Sequence, residues 1–225
     1  MASGGSMGPN RPFNTIDSLP ELLPLFPLSG ALLLPRGELP LNIFEPRYLA
    51  MVEDAIAGSR MIGMIQPAQE AVVKPRLFQV GCAGRITQFS ETGDGRYLIT
   101  LSGVSRFRVV AELPATTLYR QFQVDYVAFA EDLLPGAGES AVDRDGVVAM
   151  LRRFAGAANL EIDWGSIDAA PTETLVNALA MMCPFGANEK QALIEAIDLK
   201  TRAEALVALA KLDIAERNSD TRHWH

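Results

Sequence analysis

The sequence predicts an α+β fold in which a β-rich lobe precedes a helical lobe. Up to about residue 130, short apolar runs alternate with prolines, glycines and turn signals, a pattern typical of a small barrel or sandwich. Beyond a segment that contains Pro135, Gly136 and Gly138, apolar residues recur at helical spacing instead. We therefore expect a disordered leader at 1–18, the β-rich lobe at 19–130, a linker at 131–140, the helical lobe at 141–217 and a disordered tail at 218–225.

Prolines at positions 20, 24, 27, 35 and 40 interrupt the first part of the β-rich lobe. Because proline cannot donate to a strand ladder, this segment predicts short edge strands rather than long central ones. Pro46 then suits the first position of a helix. One apolar stripe follows at helical spacing, formed by Tyr48, Met51, Val52, Ala55 and Ile56.

Further strands are predicted from short apolar runs over 61–65, 80–89, 97–102, 107–111 and 122–129. Gly81 and Gly84 predict a bend or bulge in the second of these. In the helical lobe, a stripe from Val147 to Ala158 predicts one helix, and Pro171 begins another that runs through Met182. Two capping boxes are predicted before later helices, Asn188 with Gln191 and Thr201 with Glu204.

The composition favours a globular protein of the cytoplasm, with 48% hydrophobic and 21% charged residues. No run approaches the roughly 18 apolar residues that span a bilayer, so no membrane partner is expected. The residues before position 15 lack the apolar core of a secretory signal. Cys82 and Cys183 belong to no C-x-x-C pair and are predicted to be buried, reduced thiols rather than a disulfide.

Catalytic machinery is hard to place in this chain. Its two histidines, His223 and His225, stand in the last three residues, which argues against Ser-His-Asp and Cys-His catalysis and against histidine-based zinc sites. No P-loop motif is present, and the acidic pairs are typical of solvated surface charge. We therefore expect no catalytic residue, no metal ligand and no cofactor, although catalysis by carboxylates or lysine alone stays open.

The net charge of −7 argues against a nucleic-acid partner. Non-specific binding to nucleic acid depends on phosphate contacts, and an acidic surface repels phosphate. A local basic groove would still be compatible with this total, because net charge hides patches.

Several motifs, taken in order, resemble the N-terminal substrate-recognition domain of the Lon protease family. They are LLPLFPL at 22–28, LLLP at 32–35, LPLNIFEPRY at 39–48, IGMIQP at 62–67, VGCAGRI at 80–86 and GRYLITLSGVSRFRV at 95–109. The segment 175–212 is similar to the helical half of that domain, so the resemblance covers roughly residues 20–215. It implies a PUA-like β pseudo-barrel followed by a helical bundle. The family's ATPase and Ser-Lys protease dyad have no counterpart in the sequence, so we expect a free-standing, non-catalytic module.

Residues of the β-rich lobe are candidates for binding a polypeptide. Glu45, Arg47 and Tyr48 would form a polar rim around a groove, or would only stabilise the start of a helix. Arg106 would position a ligand or make a structural hydrogen bond. The groove itself would be lined by apolar residues, which alternatively form ordinary core: Phe26, Leu28, Leu33 and Phe44.

Two functions follow from the resemblance. The first is recognition of unfolded or apolar polypeptide segments, in partnership with a separate protease or chaperone. The alternative is a PUA-like module that binds RNA or a small molecule, which depends on analogy of fold alone.

Overall fold

A computed structural model describes residues 13–69, 74–158 and 161–220, and it divides into two compact units. The β unit comprises the described residues up to Leu28 together with those of Leu33–Leu134. The helical unit comprises Ser29–Leu32 together with the described residues from Pro135 onward. The predicted α+β class, a β pseudo-barrel followed by helices, is confirmed. Residues 1–12 and 221–225, which hold most of the predicted leader and tail and both histidines, lie outside the described ranges.

The β unit contains six strands and one α-helix, α1 (Pro46–Ala57), among its described residues. The strands are β1 (Leu22–Pro27), β2 (Glu38–Ile43), β3 (Met61–Ile65), β4 (Val80–Glu91), β5 (Tyr97–Leu113) and β6 (Gln121–Asp125). They pair in the order β2-β5-β4-β3-β1-β6, and β6 pairs again with β5. Five strands therefore close into a circuit, while β2 remains outside it with β5 as its partner among the described strands.

The core of the β unit lies inside this circuit, around the fully buried ring of Phe107. Gly63 and Gly81 leave room for the ring, since a Cβ on Gly81 would lie 2.6 Å from one of its carbons. The predicted stripe of α1 is confirmed, with Tyr48 and three further residues buried: Met51, Val52 and Ala55.

The first strand is not the edge strand that its prolines predict. Its first half pairs antiparallel with β6 at Leu22–Pro24, and its second half pairs parallel with β3 at Leu25–Pro27. The prediction was wrong because β1 lies between β6 and β3 and changes partner near its middle, so Pro24 and Pro27 each pair with a strand on only one side. A proline is tolerated wherever its missing N–H faces the unused side. β2, by contrast, is an edge strand with Pro40 near its middle, as predicted.

Strand β5 is a single 17-residue strand, where two strands were predicted over 97–102 and 107–111. A register shift against β4 at Ala83/Gly84 bends the pair without ending it, which confirms the bulge predicted near Gly84. β6 is shorter than predicted and ends at Asp125, followed by a 3-10 segment at Val127–Leu133 that is kinked at Phe129.

The helical unit contains five α-helices among its described residues. They are α2 (Arg144–Ala158), α3 (Trp164–Ala169), α4 (Thr172–Met182), α5 (Ala187–Glu195) and α6 (Leu199–Asp220). Both predicted capping boxes were wrong. Gly186 stands at the N-cap of α5, so Asn188 already lies inside the helix. Near the start of α6 the Thr201 N–H donates to the Asp198 carboxylate over 2.7 Å, so Thr201 is not the cap.

Candidate functional site

The outer strand β2 offers the clearest recognition surface of the β unit. Pro40 pairs with Thr100, and because proline lacks an N–H this pair is of the non-hydrogen-bonded kind. The Gly103 N–H donates to the Gly37 carbonyl over 2.8 Å, just before β2 begins. Every second residue counted from Gly37 therefore bonds to β5, which again leaves Pro40 in the set that does not. Accordingly, the residues that bond to β5 are Leu39, Leu41 and Ile43. The residues whose backbone groups point away from β5 are Glu38, Pro40 and Asn42.

The side chains of β2 follow the same alternation. Glu38, Pro40 and Asn42 are exposed, whereas Ile43 is buried and Leu39 and Leu41 are half-buried. We call the outward backbone groups of Glu38, Pro40 and Asn42, together with the half-buried side chains of Leu39 and Leu41, the β2 edge. It combines backbone groups that have no partner among the described residues with partly uncovered apolar surface.

The chain leaves β2 through a cluster of aromatic and charged residues at the start of α1. The ring of Tyr48 lies 4.3 Å from the ring of Phe26, centroid to centroid. The Arg47 guanidinium lies 4.6 Å from the centre of the Tyr48 ring and forms an ion pair with Glu45 at 2.7 Å. The structure therefore brings together four of the predicted site residues, which we call the junction cluster: Phe26, Glu45, Arg47 and Tyr48.

Burial has the largest effect on the pKa of Tyr48 in the junction cluster. Burial of the Tyr48 hydroxyl raises its pKa above 10.0, Arg47 and Arg120 act against this shift, and Glu45 adds to it. Tyr48 therefore stays neutral at physiological pH, and the cluster presents one exposed ion pair over an apolar base. An exposed pair of this kind contributes little to stability.

Phe44, between β2 and α1, is the most exposed of the predicted site residues. Its side chain is 62% exposed, and the Arg96 guanidinium lies 5.9 Å from the centre of its ring. Phe89 and Leu98, on β4 and β5, are each 47% exposed, although sequence reasoning did not single them out. The turn at 92–95 could have identified them, because it marks the end of a hairpin. Apolar side chains at a hairpin end that projects from a sheet are exposed to solvent.

Two tyrosines hold α1 against the strands and so fix the position of the junction cluster. The Tyr97 hydroxyl donates to Glu53 over 2.6 Å, and the Tyr119 hydroxyl donates to Asp54 over 2.7 Å. The hydrogen bond to Glu53 raises the pKa of Tyr97. Burial, followed by the bond to Asp54, raises the pKa of Tyr119 to about 12. Both hydroxyls thus remain protonated donors at physiological pH.

The remaining predicted site residues lie elsewhere in the β unit. Leu33 is buried and would contact a Cβ placed on Gly84, so it belongs to the core. Leu28 is half-buried just after β1, and its N–H donates to Ile65 over 3.0 Å.

Arg106 is 4% exposed and forms an ion pair at 2.8 Å with Asp132. Its guanidinium also lies 4.4 Å from the centre of the Phe129 ring. These contacts agree with the alternative in which Arg106 makes a structural hydrogen bond. A role of Arg106 in binding stays a prediction.

Within the part of the chain that the structure describes, no three His, Cys, Asp or Glu side chains are grouped to hold a metal ion. In the same residues, no helix is long and apolar enough to cross a membrane. Cys82 and Cys183 are both buried, in agreement with the prediction, and neither forms a disulfide.

The helical unit has a concave surface, an open groove of about 1050 Å³ between α2 and α6. Its walls combine small apolar residues such as Ala149 and Ala203 with charged residues that include Arg153 and Lys211. Apolar walls with charged margins also suit a polypeptide. The groove is therefore the alternative location against which the β2 edge has to be tested.

Comparison with known proteins decides the family. The family model described as the ATP-dependent protease La (LON) substrate-binding domain matches residues 22–211. The chain belongs to this family. The matched residues include all six strands and the helices up to most of α6, so the Lon substrate-binding domain accounts for both units.

Relatives of this Lon domain are found within much longer proteins. The chain is 28% identical over 205 residues to Lon protease 2 of Myxococcus xanthus, covering 86% of this chain and 24% of that protein. It is 27% identical over 217 residues to the Lon protease of Anaeromyxobacter dehalogenans, covering 91% and 24% respectively. The chain thus spans about a quarter of the length of the curated Lon proteases that it matches.

Solved structures support the same assignment of fold. The Lon N-terminal domain protein from Xanthomonas campestris is 25% identical with a TM-score of 0.59, and the match covers 83% of this chain and 97% of that one. The N-terminal domain of the Mycobacterium avium complex Lon protease has a TM-score of 0.63 over 84% of this chain and 98% of that one. Its identity is 17%, so this second likeness concerns the fold alone.

Proposed function

We propose that the chain is a non-catalytic recognition module that binds unfolded or apolar polypeptide segments through its β unit. The observation that carries this proposal is the β2 edge, which leads directly into the exposed side chain of Phe44. Free backbone groups beside apolar surface are what an extended polypeptide needs, because it can pair its own backbone and bury its side chains at once.

The family supplies the second support for the proposal. Its model is named for substrate binding, and its matched relatives are named as Lon proteases. We propose that this chain uses the same domain in the cytoplasm, and that it passes bound polypeptides to a separate protease or chaperone. The pseudo-barrel is proposed to be PUA-like, as the sequence resemblance implies.

Charge favours polypeptide over nucleic acid as the ligand. The chain has 27 acidic and 20 basic residues. Several arginines of the β unit are also paired with carboxylates, including Arg106 with Asp132 and Arg120 with Glu112 at 2.8 Å each. Paired guanidinium groups have less charge to offer to phosphate, so affinity for RNA should be small at physiological salt.

The test is a titration of a fluorescently labelled, permanently unfolded protein with the full chain. We expect a dissociation constant of roughly 1–100 μM, because one copy of a recognition domain lacks avidity. Contact through apolar groups should leave the affinity nearly unchanged between low and physiological salt. Replacing Phe44 by alanine should weaken binding by about five- to tenfold, or about 1–1.4 kcal/mol.

Ile197→Ala serves as the matched control, since Ile197 is 77% exposed and lies in the helical unit. It should leave the dissociation constant unchanged. If the folded chain fails to bind unfolded protein at several hundred micromolar, the proposal is wrong. Tight binding to RNA at physiological salt, with a steep dependence on salt, would establish the nucleic-acid alternative instead.

A further inference from the structure

We infer that polypeptides bind by adding an antiparallel strand to β2, in a register set by Pro40, and that the site selects extended segments with two apolar side chains separated by one residue. This inference rests on the proposed function and specifies its mode. Three features of β2 support it: the hydrogen-bonding groups of the β2 edge, the exposure of alternate side chains and the position of the proline.

The backbone of the β2 edge is richer in acceptors than in donors. Glu38, Pro40 and Asn42 each turn a carbonyl away from β5, but only Glu38 and Asn42 turn an N–H outward, because Pro40 has none. The two donors lie about 13 Å apart at the rise of an extended strand. An incoming strand can therefore donate at three positions and accept at two.

Because Pro40 lacks a donor, the central residue of the bound segment, which lies opposite Pro40, forms one hydrogen bond to β2 instead of two. In an antiparallel pair, the residue opposite Pro40 donates its N–H to the Pro40 carbonyl, while its own carbonyl receives no bond from β2. The residues two positions away on either side exchange both bonds with Glu38 and Asn42. The N–H groups of the intervening residues face away, so substitution on their nitrogen should be tolerated.

Side chains supply the rest of the selectivity. Leu39 and Leu41 are half-buried on the inner face of β2, whereas Glu38, Pro40 and Asn42 are exposed on the outer face. In an added strand the two residues beside the central one point to the inner face. Apolar side chains at these two positions would cover Leu39 and Leu41. Polar residues are accommodated at the central and flanking positions.

Antiparallel addition is favoured over parallel addition because antiparallel ladders are slightly more stable per residue. The two directions differ in which N–H groups of the peptide bond to β2. Antiparallel addition uses those of the central and flanking residues, whereas parallel addition would use those of the two apolar residues.

The experiment uses the full chain and a labelled pentapeptide that alternates threonine and leucine, with lysines at both ends for solubility. Methylation of the central threonine nitrogen should weaken binding at least about tenfold, because it removes a hydrogen bond and adds a clash. Methylation of either leucine nitrogen should change the affinity by less than about twofold, since that nitrogen faces away from β2 in an antiparallel strand.

Variants of the chain test the same register. Pro40→Ala restores the missing donor and should strengthen binding of the unmodified peptide about threefold to tenfold. Asn42→Pro removes a donor and should weaken binding by a similar factor. It costs no bond to β5, because that N–H faces away from β5. Asn42→Ala, which keeps the backbone N–H, should weaken binding less than Asn42→Pro, so the comparison separates loss of the donor from loss of the side chain.

Strand addition is overturned if unfolded protein binds the chain while nitrogen methylation shows no alternation and Pro40→Ala has no effect. A requirement for the leucine nitrogens instead would establish parallel addition and overturn the inferred register. In both cases the proposed function survives. Absence of binding to unfolded protein as well would mean that the proposed function itself has failed.

Discussion

Replacing Asp132 by alanine is expected to lower the free energy of unfolding by about 3–5 kcal/mol, the usual result of leaving a buried charge without its partner. The Asp132 carboxylate accepts hydrogen bonds from the Arg106 backbone N–H at 2.9 Å and from its Nε and Nη2 atoms at 2.8 Å each. Both side chains are almost completely buried, so water cannot replace the lost carboxylate. Urea unfolding measures the loss, followed by tyrosine absorbance because all four tyrosines lie in the β unit.

Two comparisons make the Asp132 result specific. Glu45→Ala breaks an exposed ion pair and should cost less than about 1 kcal/mol. Replacing Arg106 by methionine and Asp132 by leucine together should cost less than Asp132→Ala alone, because no charge is left buried. A loss below about 1 kcal/mol for Asp132→Ala would show that Arg106 is not committed to this pair, and would return it to the candidate binding residues.

Gly103→Ala is expected to destabilise the β unit by about 3 kcal/mol, at the upper end of the cost of overpacking. A Cβ at this position would overlap the carbonyl oxygen of Leu34. The backbone cannot easily move aside, since the Gly103 N–H donates to Gly37 and its carbonyl accepts from Arg36, both over 2.8 Å. The substitution therefore disturbs the segment that leads into β2, and urea unfolding measures the effect.

Gly93→Ala is the matched control for Gly103→Ala. A Cβ on Gly93 would have no atom within 4 Å, and its φ lies outside the left-handed region, so the change in stability should be within about 0.5 kcal/mol. Equal effects of the two substitutions would mean that the close approach of Leu34 to β5 is not required by the fold.

Local features of the fold could be predicted from the sequence, whereas pairings between distant strands could not. The helix α1 follows from Pro46 and an apolar stripe, both of which are contained in a dozen residues. The closed circuit depends on β1 pairing with β3 on one half and β6 on the other. A proline shows that one side of a backbone is unused at that residue, but it does not show which strand occupies the other side.

The candidate site was predictable to the same degree. Glu45, Arg47 and Tyr48 lie within four consecutive positions, so their grouping at the start of a helix could be expected. The contact between Phe26 and Tyr48 depends on how α1 packs against the sheet, which no local pattern encodes. Arg106 shows the converse problem, because its partner Asp132 lies 26 residues away and appears in the sequence as one of many acidic residues.

The claim that polypeptides bind at the β unit is tested most directly by amide hydrogen exchange of the full chain, measured by NMR with and without unfolded protein. The Glu38 and Asn42 amides face away from β5, so they should exchange rapidly in the free chain and slowly in the complex. Shift changes should extend to Phe44 and Tyr48. Protection confined to the groove between α2 and α6, with Glu38 and Asn42 unchanged, would contradict the claim and place the site in the helical unit.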